Sequence, residues 1–225
     1  MTKSKKVSAH VVLDRSGSMS GSRWENAIGA INTYVAGLIE DGAKGDITVT
    51  AFDNGGGNFV KNNTLQLSQR VLDLLTLRDK VKFKDYTPIE INEASPRGGT
   101  PLYDATANII DAASTGKNDR KVILIMTDGK ENASQEYNLP AIKAKIENCK
   151  NMGWEVVFLG AEFNADTLAT SMGIDLHKII NVGDKSRFNN NMRNYASQTT
   201  AYAKTGAAID TTTLRTAEAK NVDTV

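Results

Sequence analysis

Five oxygen-bearing side chains stand beside short apolar runs. Asp14, Ser16 and Ser18 follow Val7–Leu13, Thr100 precedes a helical pattern that begins at Leu102, and Asp128 follows Val122–Met126. Two carboxylates and three hydroxyls, with no His or Cys among them, suit a hard divalent cation. Mg2+ takes about six oxygen ligands and readily keeps water, and Mn2+ or Ca2+ accepts the same donor type. Alternation at Asp14, Ser16 and Ser18 lets a tight loop turn several side chains toward one point. Gly17, Gly98, Gly99 and Gly129 permit close approaches that bulkier residues resist. Taken singly, Asp14-x-Ser16 reads as a helix-capping turn and Asp128-Gly129 as a turn after a strand. Three such loops together favour a metal.

The donors converge only if their loops share one edge of a sheet. Val7–Leu13 reads as a buried strand that breaks into the polar loop at Asp14. Ser22 is the expected N-cap of a helix in which Trp24, Ile28, Ile31, Val35 and Leu38 recur until Gly42. Ile47–Phe52 reads as a strand, Asp53–Gly57 as a turn and Asn58–Lys61 as a further strand. Residues 62–99 are the least regular; Leu65–Leu77 has the composition of a helix, and Pro88 and Pro96 punctuate the stretch after it. A helix is expected from Leu102 through Ala113 with Pro101 in its first turn. Then come a strand at Val122–Met126, a helix at Leu139–Met152 stopped by Gly153 and a strand at Glu155–Leu159. A helix at Ala165–Met172 closed by Gly173, a strand at Lys178–Val182 and a last helix at Arg187–Tyr202 complete the order.

Alternating strands and helices, with strands apolar on both faces, imply an α/β fold. The expected form is a Rossmann-like, doubly wound, mostly parallel central sheet with helices on both faces. Such sheets bind ligands beyond the carboxyl ends of their strands, where the winding reverses. Residues 5–205 are expected to form a single domain, and the polar stretch 206–225 a mobile tail.

With 27 basic against 26 acidic residues in 225, no net field gathers nucleic acid or an anionic membrane. The basic start Met1–Lys6 lacks a following signal-peptide core and cleavage site, so the expected location is the cytoplasm. Cys149 is the sole cysteine and reads as an apolar filler. His10 and His177 are expected to pack or be solvated rather than to ligate. Asp104 reads as a first-turn helix acid favoured by the helix dipole, Glu131 as solvated, and Arg15 as a surface arginine. Trp24 and Trp154 fit buried faces, while Tyr103 and Trp24 are also near enough in sequence to rim the metal loops.

The motifs Asp14-Arg-Ser16-Gly-Ser18-Met, Gly98-Gly-Thr100-Pro and Thr127-Asp128-Gly129 resemble the metal-ion-dependent adhesion site of von Willebrand factor type A domains. That family's pattern is Asp-x-Ser-x-Ser, then a Thr, then an Asp. The resemblance spans roughly residues 5 to 183 in fold order. It implies that Ser16, Ser18 and Thr100 ligate Mg2+ directly, that Asp14 and Asp128 act largely through water, and that a partner's Asp or Glu carboxylate completes the coordination. The family's bacterial and phage intracellular members fit a lone domain of this kind.

The function expected on that basis is metal-dependent binding of a protein partner, without enzyme activity. One alternative is a self-assembling structural component, of phage or virion type, whose tail carboxylates Asp210, Glu218 or Asp223 reach a neighbour's metal. The other is a Mg2+-dependent phosphohydrolase with Asp14 as nucleophile. Ser16 stands where such enzymes carry a second acid, no loop Lys or Arg is evident for the phosphoryl group, and no Gly-rich phosphate cradle is present.

Overall fold

The computed structural model describes residues 5–55, 58–61, 64–67, 72–118, 120–160, 165–181 and 185–212. Its centre is the run Val7–Asp14 (β1), all eight residues of which are buried. The continuous apolar pattern follows from β1's position between two parallel neighbours, β2 (Gly45–Asp53) and β6 (Arg120–Thr127). Beyond β6 lie β7 (Glu155–Gly160) and β8 (Ile179–Asn181), also parallel. On the other edge β5 (Asp73–Lys82) runs antiparallel to β2, giving the sheet order β5-β2-β1-β6-β7-β8. A separate hairpin pairs β3 (Asn58–Lys61) with β4 (Thr64–Leu67).

Side-chain alternation divides the core in two. Val11 and Leu13 of β1, with Leu124 and Met126 of β6, pack under α1 (Ser22–Glu40) and α5 (Lys185–Thr205). Val12, Ile123 and Ile125 face α2 (Leu102–Ser114), α3 (Leu139–Asn151) and α4 (Ala165–Ser171). Helices therefore cover both faces, as a doubly wound sheet requires. Cys149 is buried among the second set, and burial pushes its thiol up to about 11, so it is an inert filler. His10 is buried in β1 and His177 is exposed.

α1 and α5 cross closely. A Cβ at Gly37 would lie 2.8 Å from Ala196 Cβ, Tyr34 stacks on Tyr195 with centroids 5.0 Å apart, and Tyr34 Oη donates to Thr199 Oγ1 at 3.1 Å. α1 stops as expected: Gly42, at φ +68°, donates to Ile39 O while Ala43 N donates to Leu38 O, so the last carbonyls are satisfied.

The helix expected over Leu65–Leu77 is a correction. Its described parts are β4 and the start of β5, with 68–71 outside the described residues. Leu75, Leu77 and Val81 pack on the core in a two-residue rhythm, and only the partner strand β2 makes that rhythm productive. The N-cap of α1 is Gly21 at φ +75°, not Ser22. Of the last expected strand, Val182 lies outside the described residues, as do Glu218 and Asp223 of the tail. Packing continues past Gly206: Ile209 is fully buried, and Thr211 Oγ1 donates to His177 O at 2.7 Å and to Ile179 O at 3.2 Å. Residues 207–212 are thus strapped along β8 rather than loose. No described helix is long and apolar enough to cross a membrane.

Candidate metal centre

β1 and β6 end side by side, and from β1 the chain winds toward one face while β6 feeds helices on the other. This is the reversal point at which such sheets open a crevice. Asp14 closes β1 and is fully buried. Its Oδ1 accepts from Ser16 N at 2.7 Å and its Oδ2 from Thr127 Oγ1 at 2.5 Å. Burial nevertheless pushes the Asp14 carboxyl up to about 6, opposed by those hydrogen bonds and reinforced by nearby Asp128. A carboxylate under that penalty is one that a neighbouring cation relieves.

Ser16 Oγ lies 3.1 Å from Ser18 Oγ, and Ser18 Oγ donates to Asp128 Oδ1 at 2.8 Å. Gly129 shows where the loops meet. A Cβ there would stand 3.2 Å from Thr100 Oγ1, 3.4 Å from Ser18 Oγ and 3.7 Å from Asp14 Oδ2. Oxygens from the first and second loops thus close on one point of the third, at Gly129, that only glycine leaves open, and Asp128 beside it is tied in through Ser18. All five residues expected from the sequence are brought together. Among the described residues no cluster of three or more His, Cys, Asp or Glu could hold a metal. A cation held here would depend on the hydroxyls, and that all-oxygen donor set fits Mg2+ or Mn2+.

Backbone bonds and two asparagine side chains that the sequence did not single out hold the loops. Gly17 N donates to Gly98 O and Arg97 N to Arg15 O, tying the first loop to the second. Asn54 Oδ1 accepts from Gly99 N and Asn132 Oδ1 from Thr100 N, each at 2.8 Å. A Cβ on Gly99 would meet both amides at 2.9–3.0 Å, so this glycine is fixed by crowding. The signal available for both asparagines was position alone, one residue beyond β2 and four beyond Asp128.

Arg15 corrects the expected solvated arginine. It is buried, with Nε 2.6 Å from Asp53 Oδ2 and a guanidinium N–H donated to Asp73 at 2.9 Å; Arg97 pairs with the same two acids. It braces the loop from behind and is unavailable to steer a partner. Asp104 is also more than a first-turn acid. Buried at 3% exposure, it accepts from Gln135, Glu136 and Tyr137 N–H groups at 2.7–3.1 Å and so anchors the chain between β6 and α3. Glu131 is engaged rather than solvated: it accepts from Ala133 N, Ser134 N, Ser134 Oγ and, across the loops, Tyr103 N at the start of α2.

Trp24 does not rim the site; it is buried and donates to Ile91 O at 3.0 Å. Tyr103 lines a cleft of about 480 Å³ that also touches Asp128, Gly129, Lys130 and Leu168. Arg23, in the first turn of α1, reaches back to Asp128 at 2.9 Å.

A family model described as the von Willebrand factor type A domain matches residues 10–203. No curated protein matches the sequence. Among solved structures the chain is similar to the von Willebrand factor domain of the type V pili tip protein Mfa5 from Porphyromonas gingivalis. The TM-score is 0.65 at 12% identity, covering 92% of this chain and 99% of that one. It is similar to the PilB minor pilin from Streptococcus sanguinis, with TM-score 0.57 at 12% identity over 89% of this chain; it spans 62% of the pilin, less than two-thirds of that protein's length. Manganese-loaded TRAP protein from Plasmodium vivax gives TM-score 0.52 at 13% identity, covering 80% of this chain and 69% of that one. At these identities the likeness shows a shared fold, and the family match rests on the sequence itself. The chain belongs to the von Willebrand factor type A domain family.

Proposed function

We propose that this chain is a metal-dependent protein-binding module whose partner presents an Asp or Glu carboxylate. The observation that carries the reading is the meeting of Thr100, Ser18 and Asp14 oxygens around the open point at Gly129. Ser16, Ser18 and Thr100 would hold Mg2+ through hydroxyl oxygens, with Asp14 and Asp128 acting from behind. A bound Mg2+ supplies an electrophilic centre that attracts a carboxylate, and a shell poor in directly bound anions keeps it so. The manganese in the TRAP neighbour accords with Mn2+ as a substitute. Calorimetric titration tests the site: Mg2+ should bind the wild-type chain and fail to bind Asp14→Ala. Equal binding by both removes the assignment. A pull-down with and without EDTA then names the partner.

An aspartate-nucleophile hydrolase is disfavoured by geometry as well as by motif. Asp14 is fully buried, and both of its oxygens are taken by Ser16 N and Thr127 Oγ1. Hydrolysis of generic phosphate esters should stay at background with Mg2+ present. Assembly with further copies is a second reading, favoured by the pilus proteins among the structural neighbours. It requires an oligomer whose mass collapses on chelation.

A further inference from the structure

Arg23 is the second residue of α1, and its side chain folds back over the metal loops. Its Nη1 donates to Asp128 Oδ2 at 2.9 Å and to Ser18 O at 3.1 Å. The guanidinium side chain is 44% exposed, whereas the Asp128 side chain is fully enclosed. The other Asp128 oxygen accepts from Ser18 Oγ. Both oxygens of this acid are therefore engaged from within the chain, one of them by a permanent positive charge.

Arg15 and Arg97, at the same end of the sheet, face away from the donors and neutralise Asp53 and Asp73. Arg23 alone of the three pairs with a residue of the five-oxygen centre. A divalent cation near Ser18 and Asp14 needs the Asp128 charge for its own stabilisation, either directly or through a water that Oδ2 accepts from. Two cations cannot share that acceptor without mutual repulsion, and burial of the carboxylate strengthens the conflict.

We propose that Arg23 is a chain-borne competitor of the divalent cation: it closes the centre on Asp128 when metal is absent and yields that carboxylate when metal enters. This inference rests on the metal-binding reading above. The guanidinium supplies the buried acid with a counter-charge in the metal-free chain, so the loops stay assembled without metal. It also sets the affinity for metal below what the five oxygens alone would give. Its side chain is 44% exposed, so solvent is open to the guanidinium when it leaves Asp128.

The test is calorimetric titration of Mg2+ into the whole chain as wild type, Arg23→Gln and Arg23→Lys, with circular dichroism as the check on folding. Arg23→Gln should bind Mg2+ about tenfold more tightly, a change of about 1.4 kcal/mol. Arg23→Lys should fall between the two, because an ammonium keeps the charge but loses the planar fork. Thermal melting supplies a second readout by linkage. In EDTA, Arg23→Gln should melt below wild type, and saturating Mg2+ should erase the difference. Unchanged or weaker Mg2+ binding by Arg23→Gln, or an equal melting deficit with and without Mg2+, overturns the proposal. Those results leave the metal site standing if wild type binds Mg2+. Failure of both folded proteins to bind removes the metal-binding reading, and the competition with it.

Discussion

At Gly129 a single methyl group separates an open donor cradle from a filled one. Its φ lies outside the left-handed region, so alanine suits its backbone, yet the new Cβ would sit 3.2 Å from Thr100 Oγ1. Gly129→Ala should therefore keep its melting temperature while Mg2+ affinity falls at least about tenfold by calorimetry, a loss of about 1.4 kcal/mol. His10 carries a different prediction. Burial pulls its pKa from 6.5 down to about 4, with Asp46 and Asp79 pulling it upward and Lys121 and Lys80 adding to the fall. The unfolded chain takes up the proton first. Stability is then full above pH 6.5 and declines as pH falls toward 4, by up to about 3 kcal/mol. Urea unfolding of wild type and His10→Gln between pH 7.5 and pH 4.5 should show a steeper decline for wild type, and parallel curves would refute it. That the five oxygen-bearing residues lie together was legible because they stand in short contiguous motifs at the ends of apolar runs. Arg15, Asn54 and Asn132 were not, because each acquires its partner from a strand or loop 32 or more residues away.

Among the elements, β1 and β6 were readable from apolar runs alone, since a strand buried on both faces needs no alternation. β5 was not. It is an edge strand whose leucines satisfy helical spacing almost as well as strand spacing, and pairing with β2 decides between them. Asp104 shows a helix serving a loop. From the first turn of α2 it collects three backbone N–H groups of residues 135–137, while Glu131, four to six residues earlier in the same chain segment, reaches back to Tyr103 N. The helix dipole explains why an acid is tolerated there, but these reciprocal bonds explain why it is buried. Asp104→Ala should cost about 2–4 kcal/mol in urea unfolding, because buried N–H groups lose their acceptor. It should also raise amide exchange at 135–137. Asn132, which positions Thr100, lies in the same segment, so Mg2+ affinity should fall together with the protection of those amides.

The whole molecule places its two ends of interest on different strands. The five candidate residues cluster where β1 and β6 finish, whereas the strap of residues 207–212 lies along β8, two strands beyond β6. Ile209 belongs to the same buried cluster as Ile180 and Tyr202, and Thr211 completes the backbone bonding of the β8 approach through His177 O and Ile179 O. The sequence after Gly206 carried little sign of this, because one isoleucine among Thr, Ala and Asp residues has no periodicity. Ending the chain at Gly206 removes a fully buried side chain and two or more hydrogen bonds, which should cost about 2–4 kcal/mol of stability by urea unfolding. Since the strap touches none of the five donors, Mg2+ affinity measured well below the melting temperature should be unchanged by the truncation. A parallel loss of metal affinity would mean instead that the sheet transmits the state of β8 to β6, and that the strap belongs to the binding apparatus rather than to the scaffold alone.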